Sequence, residues 1–151
     1  MGVNGIKNNI ENIFDTNAYF TINKDVYDEM IAYCQTVLPS EGCGLLSGIT
    51  ASGDTLWKLR NESHNANRFY MSANAIKHAV EQIDMKGEML SGIFHSHPSS
   101  PAIPSSHDLE SNPYADLAYL IVSFYKGNVE VGCFRMVNKT AFPLELILLD
   151  D

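Results

Sequence analysis

Basic residues are scarce: ten Lys plus Arg stand against eighteen Asp plus Glu in 151 residues, giving a formal charge of -8 and a pI near 5.0. That balance repels phosphate backbones, and no local basic patch offsets it, so no nucleic-acid partner is expected. Long apolar runs are also missing. The longest, Leu117 to Val122, has six residues, whereas a membrane span needs about 20 and a signal-peptide core roughly 7 to 15. The expectation is a soluble, cytoplasmic protein with no membrane role. Cysteine is sparse: Cys34, Cys43 and Cys133 are too few and too widely spaced for a disulfide framework or a CxxC metal knuckle. Their odd number favours free thiols in a reducing compartment. There is no internal repeat, low-complexity tract or interdomain linker.

What is present suffices for one core: 45% apolar residues in a 16.8 kDa chain. Residues 1–17 are rich in Asn, Gly and Ile and lack both a basic region and an apolar core, so they read as a loosely ordered leader. Residues 18–151 read as a single domain.

Within that domain, Ala18 to Ile22 is rich in aromatic and β-branched residues and predicts a short strand. Asn23 can cap a helix over Lys24 to Val37, whose apolar stripe is Val26, Tyr27, Met30, Ile31, Cys34 and Val37; Pro39 ends it. Cys43 to Ile49 predicts a buried strand that admits close backbone approach at Gly44 and Gly48. Ser52-Gly53-Asp54 then turns into a strand from Thr55 to Arg60. Asn61 to Arg68 is polar and irregular, and a second helix runs from about Ser72 to Lys86. Three strands follow, Met89 to His97, Ala118 to Phe124 and Val129 to Met136, with a final strand from Pro143 to Leu149. A third helix can begin at Ser105. Interleaved strands and helices predict an α/β fold. Because Lys126-Gly127-Asn128 joins the late strands by a tight turn, the sheet must be mixed.

The chemistry lies in His95-Ser96-His97-Pro98 followed by Ser105-Ser106-His107-Asp108. Strand residues two apart face the same way, roughly 6 to 7 Å between Cα atoms, so both imidazoles can meet one ion. Pro98 ends the pairing, the stiff loop to Pro104 returns the chain, and Asp108 can add an oxygen ligand. Two imidazoles and one carboxylate leave a fourth position open, the pattern of a catalytic zinc, which pulls the pKa of water there toward about 7. An amide hydrolase also needs a group to carry the proton to the leaving amine. Glu41 is the candidate for that role, and the hydroxyl of Ser105 is the candidate donor to the developing oxyanion. Blander readings exist for each. Ser105-x-x-Asp108 is also a helix capping box, which is compatible with aiming the carboxylate. His95 and His97 could be satisfied polar strand residues, and Glu41 a solvated turn residue.

Together, Glu41-Gly42-Cys43-Gly44-Leu45-Leu46, His95-Ser96-His97-Pro98 and Ser105-x-x-Asp108 resemble the signature of the JAMM, or MPN-plus, metalloprotease domain, with similarity running from about Tyr19 to Leu149. The resemblance implies a curved mixed β-sheet flanked by helices, the JAB1/MPN architecture, similar to that of cytidine deaminases. It implies a zinc hydrolase cleaving peptide or isopeptide bonds at the C-terminal tails of ubiquitin-like proteins. His95, His97 and Asp108 match the zinc ligands, Glu41 the general acid/base and Ser105 the oxyanion-stabilising serine. Only nine residues separate Asp108 from the next predicted strand, leaving no room for the insertions with which deubiquitinating relatives hold two ubiquitins. The match is especially close to short bacterial members that process sulfur-carrier proteins, so the resemblance implies a ubiquitin-like sulfur carrier as substrate.

Three weaker candidates remain. His107 could assist Asp108 from beside it, His64 could rim the cleft, and Cys43 could be a redox or metal-binding thiol, though a small buried apolar residue fits it better. A cupin would need a Glu where Ser100 and Pro101 stand. A DNA-linked relative with a His-x-His-Pro motif is disfavoured by the acidic balance. A metal-free MPN interaction module, or a metallopeptidase of other substrate, is the alternative function; such modules usually lose a ligand, and this chain keeps all of them.

Overall fold

Residues 19–111 and 114–150 are described in a computed structural model of the chain; the leader expected over residues 1–17 lies outside them. Strand β1 (Tyr19–Asn23) buries Phe20 and Ile22, one side of its alternation. It runs directly into α1 (Lys24–Thr36), whose N-cap Asn23 has extended dihedrals but makes no side-chain capping bond. Met30 and Cys34 are the fully buried positions on the stripe of α1. Strand β2 (Cys43–Gly48) is buried along its whole length. A Cβ at Gly44 would fall onto the Trp57 carbonyl, which is the close approach predicted there.

The short strand β3 (Ser52–Gly53) and β4 (Thr55–Leu59) follow, then α2 (Ala73–Met85), capped by the Ser72 hydroxyl accepting from the Ala75 N–H. Next come β5 (Met89–His97), α3 (Ser106–Glu110), β6 (Ala118–Ser123), β7 (Glu130–Val137), β8 (Thr140–Pro143) and β9 (Glu145–Leu149). Six strands form one sheet in the order β4-β2-β5-β6-β7-β8. The β5–β6 pair is parallel and its other pairs are antiparallel, so the sheet is mixed, as the turn at Lys126 required.

Two features depart from the sequence reading. Ser52-Gly53 does not simply turn; it pairs in parallel with β1, which also pairs in parallel with β9, making a separate three-stranded sheet. The single strand expected from Pro143 to Leu149 is likewise two, divided at Leu144. That residue is buried and donates its N–H to the Cys133 carbonyl at 2.8 Å, which anchors the point where the chain changes sheets. A register shift opposite Leu46 and Ser47 marks a bulge, which bends a strand locally. Ser91, in that bulge, donates its hydroxyl to the Ser52 carbonyl at 2.6 Å and ties the two sheets together.

Alternation along β5 divides the core. Phe94 packs with Phe20, Met30, Cys34 and Leu120 on the α1 side, while Ile93 packs with Ala79, Ile83, Tyr119 and Met136 on the α2 side. Burial of an aromatic the size of Phe94 contributes about 1.5–3 kcal/mol, and truncating it to Ala costs about 3–5 kcal/mol. His95 and His97 share the face of Ile93, so the core that fixes β5 also aims both imidazoles. Among the described residues no helix is long and apolar enough to cross a membrane.

Candidate active site

The end of β5 carries His95 and His97, both buried, and α3 carries Asp108 toward them. His95 Nε2 lies 3.2 Å from His97 Nε2 and 3.2 Å from Asp108 Oδ2, and His97 Nε2 lies 3.1 Å from the same oxygen. Three donor atoms therefore form a nearly equilateral triangle. In a tetrahedral site with bonds of about 2.0–2.1 Å, neighbouring donors stand about 3.3 Å apart. The separations fit one small cation, and the donor set, two imidazoles and a carboxylate, fits zinc. Among the described residues this trio is a group able to hold a metal.

Second contacts orient the trio. His97 Nδ1 donates to the Pro101 carbonyl at 2.8 Å, which orients the ring so that Nε2 faces the triangle and could offer a lone pair to a metal there once the ring is neutral. The Ser123 hydroxyl holds the neighbouring Ser100 carbonyl at 2.6 Å. Thus the loop after β5 contributes to the site through the backbone carbonyls of Ser100 and Pro101. Phe69 stacks on His95 with centroids 4.5 Å apart and planes 21° apart. His95 Nδ1 is buried without a hydrogen-bond partner among the described residues.

Asp108 is set by a reciprocal capping box. Its N–H donates to Ser105 Oγ at 3.1 Å, and its Oδ2 accepts from the Ser105 N–H at 2.9 Å. The capping reading of Ser105 is therefore present in the structure. It leaves the hydroxyl hydrogen free, because a hydroxyl accepts through lone pairs and donates separately. Ser105 itself is exposed, and its backbone stands within hydrogen-bond reach of the donor triangle.

Electrostatics match these roles. Burial opposes ionisation of Asp108, but hydrogen bonds from His95 and His97 outweigh it and hold the carboxyl well below the usual range. Burial lowers His95 and keeps its ring neutral, while His97 is raised because its bonds to Asp108 and Pro101 exceed the effect of its own burial. Glu41 is 5% exposed. Burial pushes its carboxyl up to about 7, offset in part by His97 and reinforced by Asp108, whose charges it feels. A buried carboxyl near neutrality can both take and return a proton.

The cleft beside the trio has a volume of about 440 Å³ and is walled by Phe69, Tyr70, Met71, Ile76, Tyr119 and Met136. His107 also lines it, with the Ser111 hydroxyl 3.3 Å from its Nε2. His64 is exposed in the loop after β4 and does not line this cleft. Cys43 is fully buried, its thiol pushed up to about 12 by burial and 3.7 Å from the Leu59 carbonyl, consistent with a small core residue. All three cysteines are free and buried. The sequence reading did not single out Phe69, which stacks on His95, nor Asn61 and Ser96, whose side chains hydrogen-bond the Glu41 carbonyl and the Gly42 N–H. Alternation places Ser96 on the opposite face from the histidines, but nothing local signals the contacts of Asn61 or Phe69.

A family profile described as prokaryotic homologs of the JAB domain matches residues 23–136. A desampylase from Pyrococcus furiosus is 32% identical over 99 residues, covering 66% of this chain and 70% of that one. The solution structure of protein DSY2949 from Desulfitobacterium hafniense superposes with a TM-score of 0.80 at 29% identity, covering 87% of this chain and 94% of that one. The crystal structure of AF2198, a JAB1/MPN domain protein from Archaeoglobus fulgidus, gives a TM-score of 0.56 at 22% identity, with 85% and 98% covered.

Proposed function

Since the chain belongs to the prokaryotic JAB-domain family, we propose that it is a zinc-dependent hydrolase cleaving amide bonds at the C-terminal tail of a ubiquitin-like sulfur-carrier protein. The similarity to a desampylase supports a JAMM-type hydrolase acting on a ubiquitin-like modifier. The observation that carries the reading is the convergence of His95 Nε2, His97 Nε2 and Asp108 Oδ2 to within 3.2 Å, together with a buried Glu41 whose carboxyl feels the charges of His97 and Asp108.

His95, His97 and Asp108 would hold the metal. Bound there, zinc supplies a Lewis acid that polarises a carbonyl and lowers the pKa of water to about 7. Glu41 takes a proton from the attacking water and passes it to the leaving amine, which its pKa of about 7 allows in both directions near neutral pH. The Ser105 hydroxyl donates its free hydrogen to the developing oxyanion while still capping α3. The apolar wall from Phe69 to Met71 excludes water along the tail and strengthens these polar interactions.

The tail enters extended, and bulky side chains next to the scissile carbonyl would clash with the attacking water, so cleavage follows a Gly-Gly pair. Only a short segment links α3 to β6, so recognition rests on the carrier and its tail, leaving a small departing fragment. The test incubates the protein separately with a carrier bearing a short C-terminal extension, with linked ubiquitin dimers and with unstructured peptides, and follows products by mass spectrometry. Preferential trimming of the carrier is expected. Faster cleavage of ubiquitin dimers or of unrelated peptides would overturn the substrate assignment.

A further inference from the structure

Asn61, just past β4, heads the loop that leads to α2, and its side-chain amide is fully used. Nδ2 donates to the Glu41 carbonyl and to the Arg68 carbonyl, each at 3.0 Å. Oδ1 accepts from the Ser63 N–H at 2.9 Å and the Tyr70 N–H at 3.0 Å. A primary amide has two donor hydrogens and two acceptor lone pairs, so no capacity is left over. Three of the four partners belong to one loop, which the Glu62 N–H also closes onto the Tyr70 carbonyl at 2.8 Å. That loop stacks Phe69 on His95 and sets Tyr70 and Met71 into the cleft wall. The fourth partner is the backbone of Glu41.

The Glu41 turn is gripped from its other side as well. The Gly42 N–H donates to Ser96 Oγ at 2.7 Å, and the Ser96 N–H donates to the Gly42 carbonyl at 2.9 Å. Ser96 lies between the two histidines and is fully buried. The backbone that carries the Glu41 carboxylate is thus tied to the histidine strand by Ser96 and to the cleft loop by Asn61.

We propose that Asn61 is a positioning residue that couples the cleft wall to Glu41. Its Nδ2 holds the Glu41 turn and, through the Arg68 carbonyl, one side of the loop, while its Oδ1 shapes that loop through the Ser63 and Tyr70 amides. The proposal rests on Glu41 being the group that moves the proton. Asn61→Asp keeps the two acceptor bonds that hold the loop at Ser63 and Tyr70 and loses the donor bonds to Glu41 and Arg68, whereas Asn61→Ala loses all four. A misplacement of about 1 Å at a reacting group costs up to about 10²-fold.

With a carrier bearing a short C-terminal extension as probe, Asn61→Asp lowers kcat about 10- to 100-fold and leaves KM within a few-fold of the unsubstituted protein. Asn61→Ala lowers kcat equally and raises KM several-fold besides. Hydrogen exchange on the protein without added metal shows the Ser63 and Tyr70 amides still protected in Asn61→Asp and unprotected in Asn61→Ala. In a Glu41→Gln background, Asn61→Asp causes no further loss, because there is no base left to position. Ser96→Ala, removing the side-chain bond of the opposite tether, lowers kcat without changing KM and is likewise silent in the Glu41→Gln background; should Asn61→Asp fail to fold, Asn61→Ala carries the test in the same background, where it causes no further loss of kcat. Loss in Glu41→Gln together with a normal kcat in Asn61→Asp, or losses that multiply in the double variant, would overturn the coupling alone. Full activity in Glu41→Gln would overturn the role of Glu41 and the coupling with it.

Discussion

The helix cap that Ser105 makes and the oxyanion role proposed for it are confounded by a single substitution and separated by a pair. Its oxygen accepts from the Asp108 N–H at 3.1 Å, and its hydrogen is assigned to the oxyanion. Replacing an N-cap serine by Ala costs about 1 kcal/mol of stability, whereas replacing it by Gly costs only a few tenths. Removing one oxyanion donor costs about 10²- to 10³-fold in kcat, roughly 2.7–4 kcal/mol of barrier, whichever residue replaces it. The return bond from the Ser105 N–H to Asp108 Oδ2 at 2.9 Å is made by backbone and survives either change, so metal binding is retained. Ser105→Ala is therefore expected to lose both stability and turnover, and Ser105→Gly to lose turnover alone. Ser105→Thr, which keeps the hydroxyl, retains both. Chemical denaturation and steady-state cleavage of an extended carrier on the same three proteins give the comparison. A Ser105→Gly protein with near-normal kcat would reduce Ser105 to a helix cap and refute its part in the chemistry.

Two further outcomes follow from the burial of the site. The Glu41 carboxyl titrates at about 7 in the folded protein against an ordinary 4.5, so the folded state holds that proton more tightly. Its contribution to stability is full below 4.5 and is lost as pH rises toward 7. Without metal, Glu41→Gln is thus expected to be more stable than the unsubstituted protein at pH 8, by no more than about 3 kcal/mol, and equal to it near pH 4; denaturation curves at both pH values check this, and equal stability at pH 8 would contradict the burial argument. Gly132 on β7 lies against the loop that orients His97, and a Cβ there would strike the Ala102 carbonyl. Gly132→Ala should displace the adjacent Pro101 carbonyl and weaken metal affinity about 10- to 100-fold; competition with a chelator of known affinity measures it, and unchanged affinity would show that the loop yields without moving His97.

How much of this was legible in the chain depends on the range of the interactions. His95 and His97 share a face because of a period of two, visible within three residues, and Asp108 returns to them through a short proline-rich loop opened by a capping box. Those are local patterns, and the structure brings the three donors together. Glu41 stands fifty-four residues before His95, and only its place ahead of a small-residue strand, with the family likeness, singled it out. The three-stranded sheet left no such trace. Its β1–β9 pair joins Tyr19 to Glu145 in parallel, and pairing between chain ends depends on the packing of everything between. The division at Leu144 is hidden for the same reason, since a buried leucine continues the apolar pattern of a strand while its N–H turns to Cys133. Asn61 opens, and Phe69 directly follows, a polar stretch whose irregularity was visible, but their partners are set by the folded loop.

The central claim is that His95, His97 and Asp108 hold one divalent metal on which amide hydrolysis depends. The most direct measurement strips the protein with a chelator, then adds zinc in steps while following bound metal by elemental analysis and cleavage of an extended carrier by mass spectrometry. Activity absent after stripping, returning in proportion to bound zinc and saturating at one per chain, with neither binding nor activity in His97→Ala, is the expected result. Undiminished zinc content in His97→Ala, or full hydrolysis by the stripped protein, would contradict it.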